Sequence, residues 1–147
     1  MRKFLVTLTI ATSILLAAGN SQARDNKLMV PIADLMAKGQ TQDKLDPEIR
    51  LLFAGQSYPE PTRKYGNFVT NKKTNAFNKS DSEACDWVML SALIALQDRA
   101  RSEGGNAVVN IESYYKKVVM ASATEYECHA GNVMAGVALR GDIVKLP

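Results

Sequence analysis

The chain has 147 residues but only two cysteines, one histidine and one tryptophan, so few side chains can carry site chemistry. With no C-x-x-C, it lacks the thioredoxin-type redox motif. No G-x-S-x-G elbow is present, and the single histidine has no serine partner in a turn motif, which removes the usual nucleophile patterns. No G-x-x-x-x-G-K-[ST] phosphate loop occurs, and two cysteines are too few for a zinc finger. Internal repeats and low-complexity tracts are absent. After residue 24 no apolar run is long enough to cross about 30 Å of hydrocarbon.

The one long apolar stretch lies at the front. Arg2 and Lys3 precede an uncharged segment from Phe4 to Ala18, and Ser21-Gln22-Ala23 follows with small residues. This pattern predicts a secretory leader over residues 1–23, cleaved after Ala23. A retained anchor is the competing reading, but the run is short for a membrane span. No cysteine lies near the cleavage site, so no lipid anchor is expected there. The expected mature protein is residues 24–147, a single domain in the periplasm or outside the cell. Removing Arg2 and Lys3 from the 18 basic residues leaves 16 against 15 acidic ones. A net charge near +1 gives no global field for nucleic acid or an anionic membrane.

Export changes the meaning of the cysteines. Cys85 and Cys128 are expected to pair in an oxidising compartment. A bridge closing so long a loop stabilises by about 4 kcal/mol in the chain-entropy picture. Two free thiols serving redox or metal chemistry are the alternative.

Hydropathy patterning gives the elements. Leu28, Met29, Val30 and Ile32 suggest a short strand ending by Asp34–Gly39, and Ile49–Ala54 a second. Tyr58-Pro59-Glu60-Pro61 is a turn or extended linker, since each proline removes a donor. Gly66–Thr70 begins another strand, and residues 71–79 are polar and loop-like. Ser80, Asp81 and Ser82 offer N-cap oxygens, with Glu83 in the first turn. Stripes of Trp87, Leu90, Ile94 and of Ala84, Val88, Ala95 predict a largely buried helix, stopped at Gly104-Gly105. From Asn106 to about Val118 a strand is expected, with Ala107, Val109 and Ile111 on one face and Val108, Asn110, Glu112 and Tyr114 on the other. Val133–Leu146 is the last strand. The predicted fold is α+β: a small antiparallel sheet with one long helix packed on one face, stapled by one disulfide.

The segment A-R-S-E-G-G-N-A-V-V-N-I-E-S-Y-Y after the helix, followed by V-M-A-G-V-A-L-R-G, resembles the YbjQ-type domain family, often labelled "heavy-metal-binding". It also resembles RcsF-like periplasmic domains, which tie their helix to their sheet by disulfide. Exported relatives sometimes carry the label "excinuclease ATPase subunit", which the missing phosphate loop and the leader argue against. The likeness covers residues 82–146. It implies an envelope setting and, through the family label, metal binding. The lipid-modified cysteine and second disulfide of RcsF-like proteins are absent from the sequence.

Four constellations are candidate sites. Cys85, Cys128 and His129 are soft ligands for a transition metal, provided a turn brings them together. In an extended segment Cys128 and His129 point to opposite faces; a bridge to the helix turns Cys128 inward with Tyr126, which leaves Glu125, Glu127 and His129 outward, as acid/base groups or as solvated charges. Arg63, Lys64, Lys72, Lys73 and Lys79, interleaved with Tyr58, Tyr65 and Phe68, suggest a patch for an anion or a partner. Tyr114 and Tyr115 suggest an interface or cross-strand packing.

With no convergent nucleophile, base and oxyanion set, the expectation is a non-enzymatic periplasmic binding or envelope-associated protein. It would act through protein contacts, have no cofactor, and possess an envelope partner of unknown identity; a homo-oligomer is compatible with it. The alternatives are a transition-metal-binding protein and a small secreted hydrolase or effector.

Overall fold

The computed structural model describes residues 23–147. The expected leader therefore lies outside the described residues, apart from Ala23. Among the described residues no helix is long and apolar enough to cross a membrane.

The chain runs through β1 (Asn26–Pro31), α1 (Ile32–Met36), α2 (Gly39–Lys44), β2 (Arg50–Phe53), β3 (Arg63–Asn75), α3 (Asp81–Glu103), β4 (Ala107–Ser113), β5 (Glu125–Ala130) and β6 (Met134–Lys145). The fold is α+β. One six-stranded sheet is ordered β1-β5-β6-β4-β2, with β3 paired to β6 as well. Strand β6 is the spine: β3 follows it from Lys145 to Met134, while β4 and β5 use successive parts of its other side. The sheet is mixed rather than purely antiparallel, because β2 runs parallel to β4.

Helix α3 follows its sequence signals closely. The Ser80 hydroxyl accepts from the Glu83 N–H, and Asp81 and Glu83 sit in the first turn where the dipole favours them. Gly104 ends the helix in the left-handed region, at φ 86°. Gly105 then lets two backbones touch: a Cβ there would lie 2.8 Å from the Val144 carbonyl oxygen. Ala84, Cys85, Val88, Met89, Ala92, Leu93 and Leu96 are buried against the sheet, facing Val108, Ile111, Tyr126, Cys128, Val137, Leu139 and Ile143. Trp87, expected in this buried stripe, is an exposed large apolar residue instead. Cys85 and Cys128 form the disulfide, across a sequence separation of 43. A second, smaller apolar cluster of Ala107, Val109, Val144 and Leu146 covers part of the opposite face, with Leu52 and Tyr58 packed on it.

Four further expectations need correction. Residues 32–44 form two short helices: Ile32, expected in the first strand, opens α1 instead, and Leu35, in the stretch expected to end that strand, is fully buried. Residues 71–75 continue β3, because β6 offers a full-length ladder partner whatever their polarity. In β4 the expected facing fails after Val109. Asn110 has φ 52° and the pairing register shifts between Val109 and Glu112. This bulge returns Ile111 to the helix side with Val108 and leaves Ala107 and Val109 on the other. Asparagine tolerates the left-handed region better than most residues. Beyond Ser113 the expected strand stops in a 3-10 turn, Tyr115–Lys117.

Candidate functional site

The helix covers one face of the sheet, so accessible chemistry lies on the other face and at the sheet's edges. Strand β5 decides the sorting. Tyr126 and Cys128 point into the core, and Glu127 and His129 point away from the helix, as the period of two requires. Cys85, Cys128 and His129 therefore do not converge. Both sulfurs are joined to each other in the core, and the imidazole lies on the opposite face. No turn occurs at residues 128–129, because both are paired with β1. Among the described residues no group of three or more His, Cys, Asp or Glu side chains is arranged to hold a metal ion.

His129 is also not the solvated surface histidine that the alternation suggested. Its Nε2 lies 2.6 Å from Glu127 Oε1 and its Nδ1 3.1 Å from Asp25 Oδ1. Tyr115 stacks on the ring, with centroids 3.6 Å apart and planes 9° from parallel. Glu127 is itself buried; its second oxygen meets Lys27 Nζ at 3.4 Å and its N–H donates to Ser113 Oγ. Both ring nitrogens are thus engaged by carboxylates, in a cluster that ties the start of β1 to β5. Glu125, expected beside them, is exposed, and the ring nitrogens bond to Asp25 and Glu127 instead. An open cavity of about 470 Å³ adjoins the cluster, lined among others by Asp25, Lys73, Tyr115, His129, Met134 and Gly136.

The two tyrosines are used within the chain. Tyr115 is occupied by His129, and the Arg140 guanidinium sits 4.6 Å from the Tyr114 ring centroid. Hydrogen bonding to Glu112 pushes the Arg140 pKa up. At the other end of the same face, Asp142 accepts from Asn67 Nδ2 at 2.9 Å and Asn110 Nδ2 at 3.0 Å. A cavity of about 300 Å³ there is lined by Tyr58, Lys64, Asn67, Asn110 and Asp142. In the core, the Tyr126 hydroxyl has no hydrogen-bond partner among the described residues; burial, with the nearby Asp86 carboxylate, pushes its pKa up. Asp86 is paired with Lys38.

The five basic residues do not form one patch. Arg63, Lys64, Lys72 and Lys73 are strung along β3, so Lys64 and Lys73 stand about 30 Å apart at 3.3 Å per residue. Lys72 and Lys73, as neighbours in a strand, face opposite sides. Lys79 lies beyond the strand and donates to the Asn75 carbonyl. What the strand residues share is an edge. β3 is 13 residues long and, among the described residues, pairs with β6 alone. No known family model, curated protein or solved structure matches this chain.

The edge has a definite phase. Ala76 N–H donates to the Val133 carbonyl, just past the Asn75–Met134 pair. In an antiparallel ladder the bonded residues alternate, so Phe68, Thr70, Lys72 and Thr74 turn their backbone polar groups toward β6. Asn67, Val69, Asn71, Lys73 and Asn75 then turn theirs outward. Val69, at the centre, is 57% exposed. Sequence reading missed this edge because residues 71–79 looked like a loop. The available signal was the alternation of Thr70, Lys72 and Thr74 with Asn71, Lys73 and Asn75.

Proposed function

We propose that this chain is an exported, non-enzymatic binding module that acts through protein contacts, and that its docking element is the outer edge of β3. The observation that carries this reading is a 13-residue strand that, among the described residues, is paired on one side only. Open edges are liabilities that most sheets shorten, cover or close. A long one offers a row of backbone donors and acceptors to an extended segment of another protein. The expected leader and the likeness over residues 82–146 support an envelope setting. The engagement of both His129 nitrogens by carboxylates supports a structural rather than a catalytic histidine.

The test is site-specific photo-crosslinking at Val69 in cells, with the same probe at Asp98 on the exposed side of α3 as control. A discrete adduct is expected from Val69 and not from Asp98. Asn71→Pro removes an outward N–H while sparing the bonds to β6, so it should abolish the adduct without unfolding the domain. Asn71→Ala should keep it. An adduct indifferent to Asn71→Pro, or no adduct at all, overturns the reading.

A further inference from the structure

We infer that the segment taken up by β3 is acidic: an extended stretch of a different protein whose carboxylates, at alternating positions, share one face and are set against Lys64 and Lys73. This deepens the β3-edge reading and rests on it. Residues 63–75 contain Arg63, Lys64, Lys72 and Lys73 and no acidic residue. The mature chain as a whole is almost balanced, so this strand is a local excess. Its charge is little neutralised from within. Among the described residues Lys72 and Lys73 have no ion pair; Lys64 meets only Glu60, at 3.6 Å with both side chains largely exposed. Arg63 lies over the Tyr65 ring, 5.1 Å from its centroid.

A second copy fits this edge poorly. Two-fold antiparallel pairing about Val69 would set Arg63 and Lys64 of one copy beside Lys72 and Lys73 of the other, at both ends of the ladder. Like charges so placed across strands are destabilising, and no carboxylate on either strand would relieve them. An acidic strand reverses the sign of the contacts with Lys64 and Lys73. Lys73 adds a reason for the outer face: it lines the open cavity beside Tyr115 and His129, so a partner side chain adjoining it has room to enter. Lysines on an edge also guard against aggregation; guarding alone predicts that strands of either sign are refused.

The test uses the mature protein and two soluble peptides of equal length, one alternating threonine with glutamate and one alternating threonine with lysine. Amide NMR shifts report binding. The glutamate peptide should move the outward amides of Asn67, Val69, Asn71 and Lys73, with affinity falling about tenfold as salt rises from low levels to about 0.5 M. The lysine peptide should move none of them. Joint Lys64→Glu, Lys72→Glu and Lys73→Glu substitution leaves Arg63 as the one cation of β3 against three carboxylates and should exchange the preference, which a purely structural role for these lysines would not do. Equal binding of the two peptides, refusal of both, or β3 shifts that depend only on protein concentration each overturn the inference. If the Val69 adduct persists in those cases, the edge reading stands without the acidic partner; if it is also missing, both fall.

Discussion

Replacing both bridge cysteines with alanine separates two contributions that the fold combines. The bridge spans 43 residues, from the first turns of α3 to the middle of β5. Opening a loop of that length returns about 4 kcal/mol of conformational freedom to the unfolded chain. Both cysteines are completely buried. Each alanine therefore leaves a void about the size of one methylene, which costs about 1 kcal/mol more. The joint Cys85→Ala and Cys128→Ala variant should lose about 6 kcal/mol. The reduced native sequence keeps its sulfur atoms and should lose only about 4 kcal/mol. A domain of this size has about 5–15 kcal/mol in total. With a urea dependence of about 2 kcal/mol per molar, the unfolding midpoint should fall by about 2 M on reduction and about 3 M in the double variant. Circular dichroism across a urea series, with and without a thiol reductant, measures both. A fall smaller than about 0.5 M in both cases would refute the loop-closure argument. Equal falls in the two cases would refute the void term.

Three other substitutions test single contacts. Gly105→Ala places its methyl 2.8 Å from the Val144 carbonyl oxygen and 2.9 Å from Ile143 Cγ2; thermal melts should show a loss of about 1–3 kcal/mol. Lys38→Ala leaves the Asp86 carboxylate, 6% exposed, without its cation; urea titration should show a loss of about 1–3 kcal/mol, largely restored by adding Asp86→Asn. The third concerns acid. The hydrogen bond from Arg24 holds the Asp81 carboxyl below its ordinary value. A depressed folded pKa contributes stability above the unfolded value, about 3.9, and loses it as pH falls through the folded one. Arg24→Gln should therefore flatten the loss of stability below about pH 4, and an unchanged acid slope would show that this pair does not contribute.

Local chemistry made much of the fold legible. Ser80, Glu83 and Gly104 fix the two ends of α3 through caps, and these depend on neighbours within a few residues. The alternation of Tyr126 and Cys128 with Glu127 and His129 sorts β5 correctly for the same reason. Reading failed where the deciding partner is distant in sequence. Asp25 meets His129 across 104 positions, and no local pattern announces it. The Asn110 bulge depends on pairing with β6 and reverses the expected side of Ile111.

By itself the sequence determined the helix with its caps and the opposite facing of Cys128 and His129, because each follows from residues adjacent along the chain, and it supplied the two sulfurs that join. Only the tertiary structure decided which strands are neighbours. Pairing along β6 turned polar residues 71–75 into strand and left the far side of β3 open among the described residues, and pairing of β1 with β5 enclosed His129 between two carboxylates, since hydrogen-bond ladders and burial are settled by what the chain meets in space.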